Sequence, residues 1–116
     1  MVFPTIDLTG IDALPSIENI TVETAAAVIG LDDAAKLPNL TYLYLQVDAI
    51  DLGQLSEAVH LNQLCINGNG ETLLDTSAMS AMTELEYFMF YGCHLTDPAQ
   101  LAPLTALKKL DLSGLG

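Results

Sequence analysis

The residues of this chain best equipped for chemistry are two histidines, two cysteines and the glycine-rich run NGNG at residues 67–70. A thiol beside an imidazole makes a nucleophile–base pair, and a glycine-rich loop can cradle a phosphate on its backbone N–H groups. Neither arrangement is spelled out. His60 and His94 fall in different connecting regions, whereas Cys65 sits inside a strand-like run and faces away from both. The spacings GxSxG, CxxC and HExxH are absent, and nothing basic lies near Cys65 in sequence to lower its pKa. NGNG follows the apolar run QLCI and reads as a bend that exploits permissive φ angles. No catalytic residue, metal ligand or cofactor is nominated.

Composition narrows the partners. Fifteen acids oppose three basic residues, a formal charge of −12, and before residue 108 the single cation is Lys36. Phosphate backbones and anionic membrane surfaces both require a basic footprint, so nucleic acid and membrane are set aside. The longest apolar run, AAAVIGL at 25–31, is far short of the ~20 residues a bilayer span needs. MVFPTIDLTG has neither the basic start nor the long apolar stretch of a signal peptide. Two cysteines make no disulfide framework. The expected compartment is cytoplasmic for a complete chain, and the cell surface or exterior for a piece of a longer repeat protein.

The elements that position these residues follow from one rhythm. Leucines at 37, 40, 43 and 45 step by three, three and two, which suits a bent segment entering a short strand. The same steps recur at Leu14-Ile17-Ile20-Val22, Ala58-Leu61-Leu64-Ile66, Met82-Leu85-Phe88-Phe90 and Leu104-Leu107-Leu110-Leu112, with first residues 23, 21, 24 and 22 apart. Seven residues before each start stand Asp7, Gly30, Asp51, Asp75 and Asp97. Three residues after each strand stand Ala25, Asp48, Asn69, Cys93 and Leu115.

This LxxLxxLxLxxN/C pattern, with a period of about 22 residues, resembles the leucine-rich repeat. The aspartate ahead of each next unit, as in LTDPAQLAPL at 95–104, is similar to the internalin-type subclass. The resemblance implies an α/β repeat solenoid of about five repeats. One curved parallel sheet lines the concave side, and short helical or 3-10 turns or loops line the convex side. Strands are expected near 19–23, 42–46, 63–67, 87–91 and 109–113, in one domain over 1–116 that lacks one or both end caps. Asp7, Asp51, Asp75, Asp97, Asn69 and Cys93 form the expected structural ladder. The aspartates cap turns, and Asn69 and Cys93 satisfy the bend after their strands. Apolar ends left open imply neighbouring repeats or self-association.

Alternation within the strands puts the leucines inside and their neighbours on the concave side. The central rows are Tyr42, Tyr44 and Gln46, then Gln63, Cys65 and Asn67, then Tyr87, Met89 and Tyr91, and they contain all four tyrosines of the chain. Tyrosine combines contact area with a polar tip and few rotors, which suits it to binding. The expected function is a non-enzymatic module that holds a protein partner on an aromatic saddle. Two alternatives stand beside it. The acidity suits an immunity or inhibitor protein against a basic toxin or nuclease, with a basic partner. The repeats also suit interior spacers of a larger bacterial surface protein or adhesin.

Overall fold

In the computed structural model, residues 4–111 are described, apart from 75, 96 and 97. Asp75, Asp97 and residues 112–116 lie outside the described set. The chain runs β1 (Thr5–Asp7), β2 (Asn19–Ala25), β3 (Ala27–Ile29), a one-turn helix α1 (Leu31–Ala34), β4 (Tyr42–Val47), β5 (Gln63–Leu74), β6 (Tyr87–Leu95) and β7 (Lys109–Asp111). Short 3-10 turns occupy Ile11–Ala13, Leu52–Leu55, Thr76–Ala81 and Pro98–Leu101. Strands β2, β4, β5, β6 and β7 form one parallel sheet in chain order, each about one repeat from the next. This is the parallel-sheet solenoid that the repeat pattern implies.

The three-three-two rhythm explains the core. Leu43 and Leu45, Leu64 and Ile66, and Phe88 and Phe90 all point inward from neighbouring strands and are 0% exposed. Phe88 and Phe90 lie with ring centroids 4.9 Å apart, tilted by 42°. The bent entry segments add Leu37, Leu40, Leu61, Met82 and Leu85, all buried. Each such side chain contributes roughly 1.5–3 kcal/mol by leaving water. A single repeat cannot bury both sides of this row, so the stacking supplies the stability.

Register is set by the backbone. The carbonyl just before each sheet strand accepts two successive N–H groups of the next repeat. Glu18 O takes Thr41 and Tyr42, Thr41 O takes Asn62 and Gln63, Asn62 O takes Glu86 and Tyr87, and Glu86 O takes Lys108 and Lys109, all at 2.8–3.2 Å. Because main-chain atoms make this ladder, any residue that keeps its N–H, and so any but proline, can occupy the donor positions. Polar side chains reinforce it on the outside. Asn62 Nδ2 donates to Glu86 Oε2 at 2.7 Å, and Lys108 Nζ meets Glu86 Oε1 at 2.6 Å.

Three local features differ from the spacing argument. First, β1 pairs with β3 as a second, two-stranded parallel sheet away from the main one. Second, β5 and β6 continue past the bend, so that Thr72, Leu73 and Leu74 pair with Cys93, His94 and Leu95. The register shifts between Asn67 and Thr72 to make room for the NGNG bend. Cys93 therefore stands opposite Thr72, not opposite Asn69. Asn69 is exposed, and the buried polar side chain at this level is Thr72, 3% exposed. The Thr72 hydroxyl donates to Asp48 O of the preceding repeat at 2.8 Å and accepts the Asn69 N–H at 3.1 Å. Third, β2 carries a bulge, so Ala25 pairs with Val47 and not with Asp48.

The break in the aspartate series has a steric cause. Gly30 precedes α1 with φ of 81°, and a Cβ there would overlap the Thr9 nitrogen and lie 2.7 Å from the Leu8 carbonyl carbon. No side chain fits where Asp7 and Asp51 have theirs. Asp51 Oδ1 caps the 3-10 turn at Leu52–Leu55 by accepting Gly53 N–H at 2.9 Å. Asp7 Oδ1 accepts Thr9 N–H at 2.9 Å in the equivalent turn. Hydrogen bonding from the Thr9 side chain, and then from this N–H, holds the Asp7 carboxyl below its ordinary pKa.

Candidate functional site

The pairing of β4, β5 and β6 arranges the outward side chains in level rows. Gln63 stands between Tyr42 and Tyr87, Cys65 between Tyr44 and Met89, and Asn67 between Gln46 and Tyr91. The nine residues therefore share one face, in three rows of three. Strand β2 extends the first two rows with Asn19 and Thr21, and β7 extends them with Lys109 and Asp111. All four tyrosines are half-buried, as are Gln63, Asn67 and Met89, while Gln46 is exposed. A half-buried tyrosine keeps its ring edge and hydroxyl available at little rotameric cost, because its neighbours already hold it.

Two members depart from the simple picture of a saddle with an open floor. Cys65 is only 5% exposed, set between Tyr44 and Met89, so it adds almost no contact area. Burial, with the charge of Asp111 adding to it, pushes the Cys65 thiol above its ordinary pKa. It stays protonated near neutral pH and is a poor nucleophile. Tyr91 is the second. Its hydroxyl donates to Asp111 Oδ2 at 3.3 Å. Burial and then the Asp111 charge raise its pKa, so the phenol remains neutral. That bond ties β6 to β7 across the face and sets the tyrosine tip in place.

The remaining chemistry-bearing residues take up structural contacts. His60 Nδ1 lies 3.1 Å from Glu84 Oε2 on the exposed edge. His94 Nε2 lies 3.0 Å from Gly70 O in the bend. Cys93 is 1% exposed, and its Sγ lies 3.3 Å from Tyr91 O. The NGNG bend is held by close approach: a Cβ at Gly68 would come within 2.5 Å of Thr72 Oγ1 and 2.7 Å of Gly92 O. Glycine at 68 is therefore accounted for by close packing against Thr72 and Gly92. Among the described residues no three His, Cys, Asp or Glu side chains converge as metal ligands.

Solved structures that share this fold include two internalins. Internalin C2 from Listeria monocytogenes matches with a TM-score of 0.67 and 23% identity over 94% of this chain and 51% of that one. Internalin F from the same organism matches with a TM-score of 0.65 and 20% identity over 91% of this chain and 38% of that one. The chain thus spans about half the length of the first and well under half of the second. No protein-family model matches the sequence, and no curated protein matches it. At such identities the likeness establishes the fold alone. Together with the strand order and the 3-10 turns, it makes the chain a leucine-rich-repeat solenoid folded like the internalins.

Proposed function

We propose that the chain is a non-enzymatic interaction module that binds a protein partner on the outward face of β4, β5 and β6. The observation that carries this reading is the level array of Tyr42, Tyr44, Tyr87 and Tyr91 with Gln46, Gln63, Cys65, Asn67 and Met89, nine positions with no charged residue in a chain of net charge −12. An uncharged aromatic patch is inexpensive to desolvate, and tyrosine is favoured at the centres of protein interfaces. Cross-strand pairing alone does not explain it, because the Gln63-Cys65-Asn67 strand separates the two tyrosine strands.

The test is capture from a lysate of the source cell, comparing the wild-type chain with a Tyr42, Tyr44, Tyr87 and Tyr91→Ala variant of verified fold. The reading expects a protein held by the wild type and lost by the variant, with affinity little changed by salt. Equal capture by both would make the tyrosines sheet filler and move the site elsewhere. Capture that collapses between low and moderate salt would instead favour the acidic-inhibitor reading.

A further inference from the structure

The tyrosine face does not end at its third row. Alternation carried one step past β4 keeps Asp48 on the side of Tyr42, Tyr44 and Gln46, and the same step past Asn67 reaches Asn69. Between these residues lies a pocket of about 140 Å³, walled by Gln46, Asp48, Asn67 and Asn69 above the buried Ala25 and Val47. Gln46 and Asn67 belong to both the face and the pocket, so the two surfaces are continuous. The NGNG bend makes the far wall. Gly68 packs against Thr72 and Gly92, and the Asn69 N–H donates to Thr72 Oγ1 at 3.1 Å, so this wall stands in place before anything binds.

The polar side chains of this pocket are unspent. Elsewhere the same side-chain amides are engaged: Asn62 with Glu86, Gln54 with the Leu31 N–H, Asn39 with Pro15 O. Among the described residues the side chains of Gln46, Asp48 and Asn67 have no hydrogen-bond or ion-pair partner within the chain. The backbone of Asp48 makes its structural contacts, the N–H donating to Ala25 O at 3.2 Å and the carbonyl accepting the Thr72 hydroxyl at 2.8 Å. Its half-buried side chain is the one charged group in the pocket lining.

That lining selects its occupant. An anion is repelled by Asp48, and an apolar group would take the polar side chains out of water unpaired. A neutral polar group would leave the carboxylate without a counter-charge. The volume is roughly that of four or five waters, and so of one side-chain head group, well below the ~300–1,000 Å³ of small-molecule sites. A guanidinium has five N–H donors in one plane and no acceptor, which matches a carboxylate flanked by amide oxygens, whereas an ammonium is a point charge. Tyr91, paired with Asn67, adds a neighbouring aromatic ring.

We infer that this pocket is the socket for an arginine side chain of the protein partner, with Asp48 as counter-ion and the Gln46 and Asn67 amide oxygens as further acceptors. The inference rests on the tyrosine face as the binding surface, and it adds the partner residue that fixes the register of the complex.

The experiment titrates the nitrogen-labelled full chain with Nα-acetyl-arginine N-methylamide, and with its citrulline and lysine counterparts. Saturable chemical-shift changes are expected at the side-chain amides of Gln46, Asn67 and Asn69 with the arginine compound. The citrulline compound, neutral and of the same shape, should give none, and the lysine compound should bind more weakly. Asp48→Asn keeps both backbone contacts and is expected to weaken binding about tenfold, the loss of one charge-assisted bond. Asp12→Asn, which removes the same charge in the first 3-10 turn, should leave binding unchanged. The inference is overturned by no shifts, by equal binding of the citrulline or lysine compound, or by shifts spread over all acids and unaltered in Asp48→Asn. The tyrosines take no part in this readout, so Tyr42→Ala leaves it intact. Failure of the tyrosine reading shows instead in the capture experiment, and each result stands without the other.

Discussion

Thr72→Val exchanges a hydroxyl for a methyl of nearly equal size at the one buried polar side chain among the described residues. The change strands two groups, the Asp48 carbonyl that receives the hydroxyl at 2.8 Å and the Asn69 N–H that donates to it at 3.1 Å. A buried group left without a partner costs about 1–3 kcal/mol. Asn69 is exposed, so water can reach its N–H; Asp48 is half-buried and loses more. The added methyl recovers part of the loss by its own burial. The expected net cost is about 1.5–2 kcal/mol, or roughly 6–8 °C in Tm for a chain of this size. Thermal and urea unfolding followed by circular dichroism measure it, with Thr72→Ser as the control that keeps the hydroxyl and loses only the methyl. The serine variant should therefore be the more stable of the two. A valine variant within ~0.5 kcal/mol of wild type would refute the claim that this hydroxyl joins the third repeat to the second.

Three further outcomes follow from the geometry. Gly30→Ala should cost ~3 kcal/mol or more, because its Cβ overlaps the Thr9 backbone at positive φ, whereas Gly70→Ala, at φ of 96° with open space around it, should cost only ~1 kcal/mol; denaturant midpoints separate them. The Gly10 N–H donated to Asp33 at 2.8 Å holds that carboxyl below its ordinary 3.8. A depressed folded pKa gives stability that is present above the unfolded value and lost as pH falls through the folded one. Asp33→Asn should therefore flatten the fall in stability between about pH 5 and pH 2, seen in acid titrations of both proteins. Burial raises both the Cys65 and Cys93 thiols, so each should react with a disulfide reagent at about pH 8 many-fold more slowly in the folded chain than in denaturant.

What the sequence makes legible is whatever repeats with a side-chain signature. The leucine steps mark the core rows, and alternation then assigns Tyr42, Tyr44, Tyr87 and Tyr91 to one face. Features made by the backbone leave no such mark. The β1–β3 pair rests on main-chain bonds between ordinary residues, and the two-to-one carbonyl ladder at Glu18, Thr41, Asn62 and Glu86 excludes only proline at its donors. Insertions also move the signature. The extra residues of the NGNG bend shift the pairing from Asn67 to Thr72, so counting from Ile66 lands on the exposed Asn69 instead of the buried Thr72. The burial of Cys65 is a neighbour effect, set by the bulk of Tyr44 and Met89 on either side, and one strand read alone does not contain it.

The most direct test of the tyrosine face is photo-crosslinking in the source cell from a benzoylphenylalanine that replaces Gln63, at the centre of the first row between Tyr42 and Tyr87. The same probe in place of the exposed Thr83, in a connecting turn, is the comparison. A discrete protein adduct from position 63, absent from position 83 and lost on Tyr87→Ala, is the result this account predicts. Adducts from position 83 alone, or equal adducts from both positions, would contradict it.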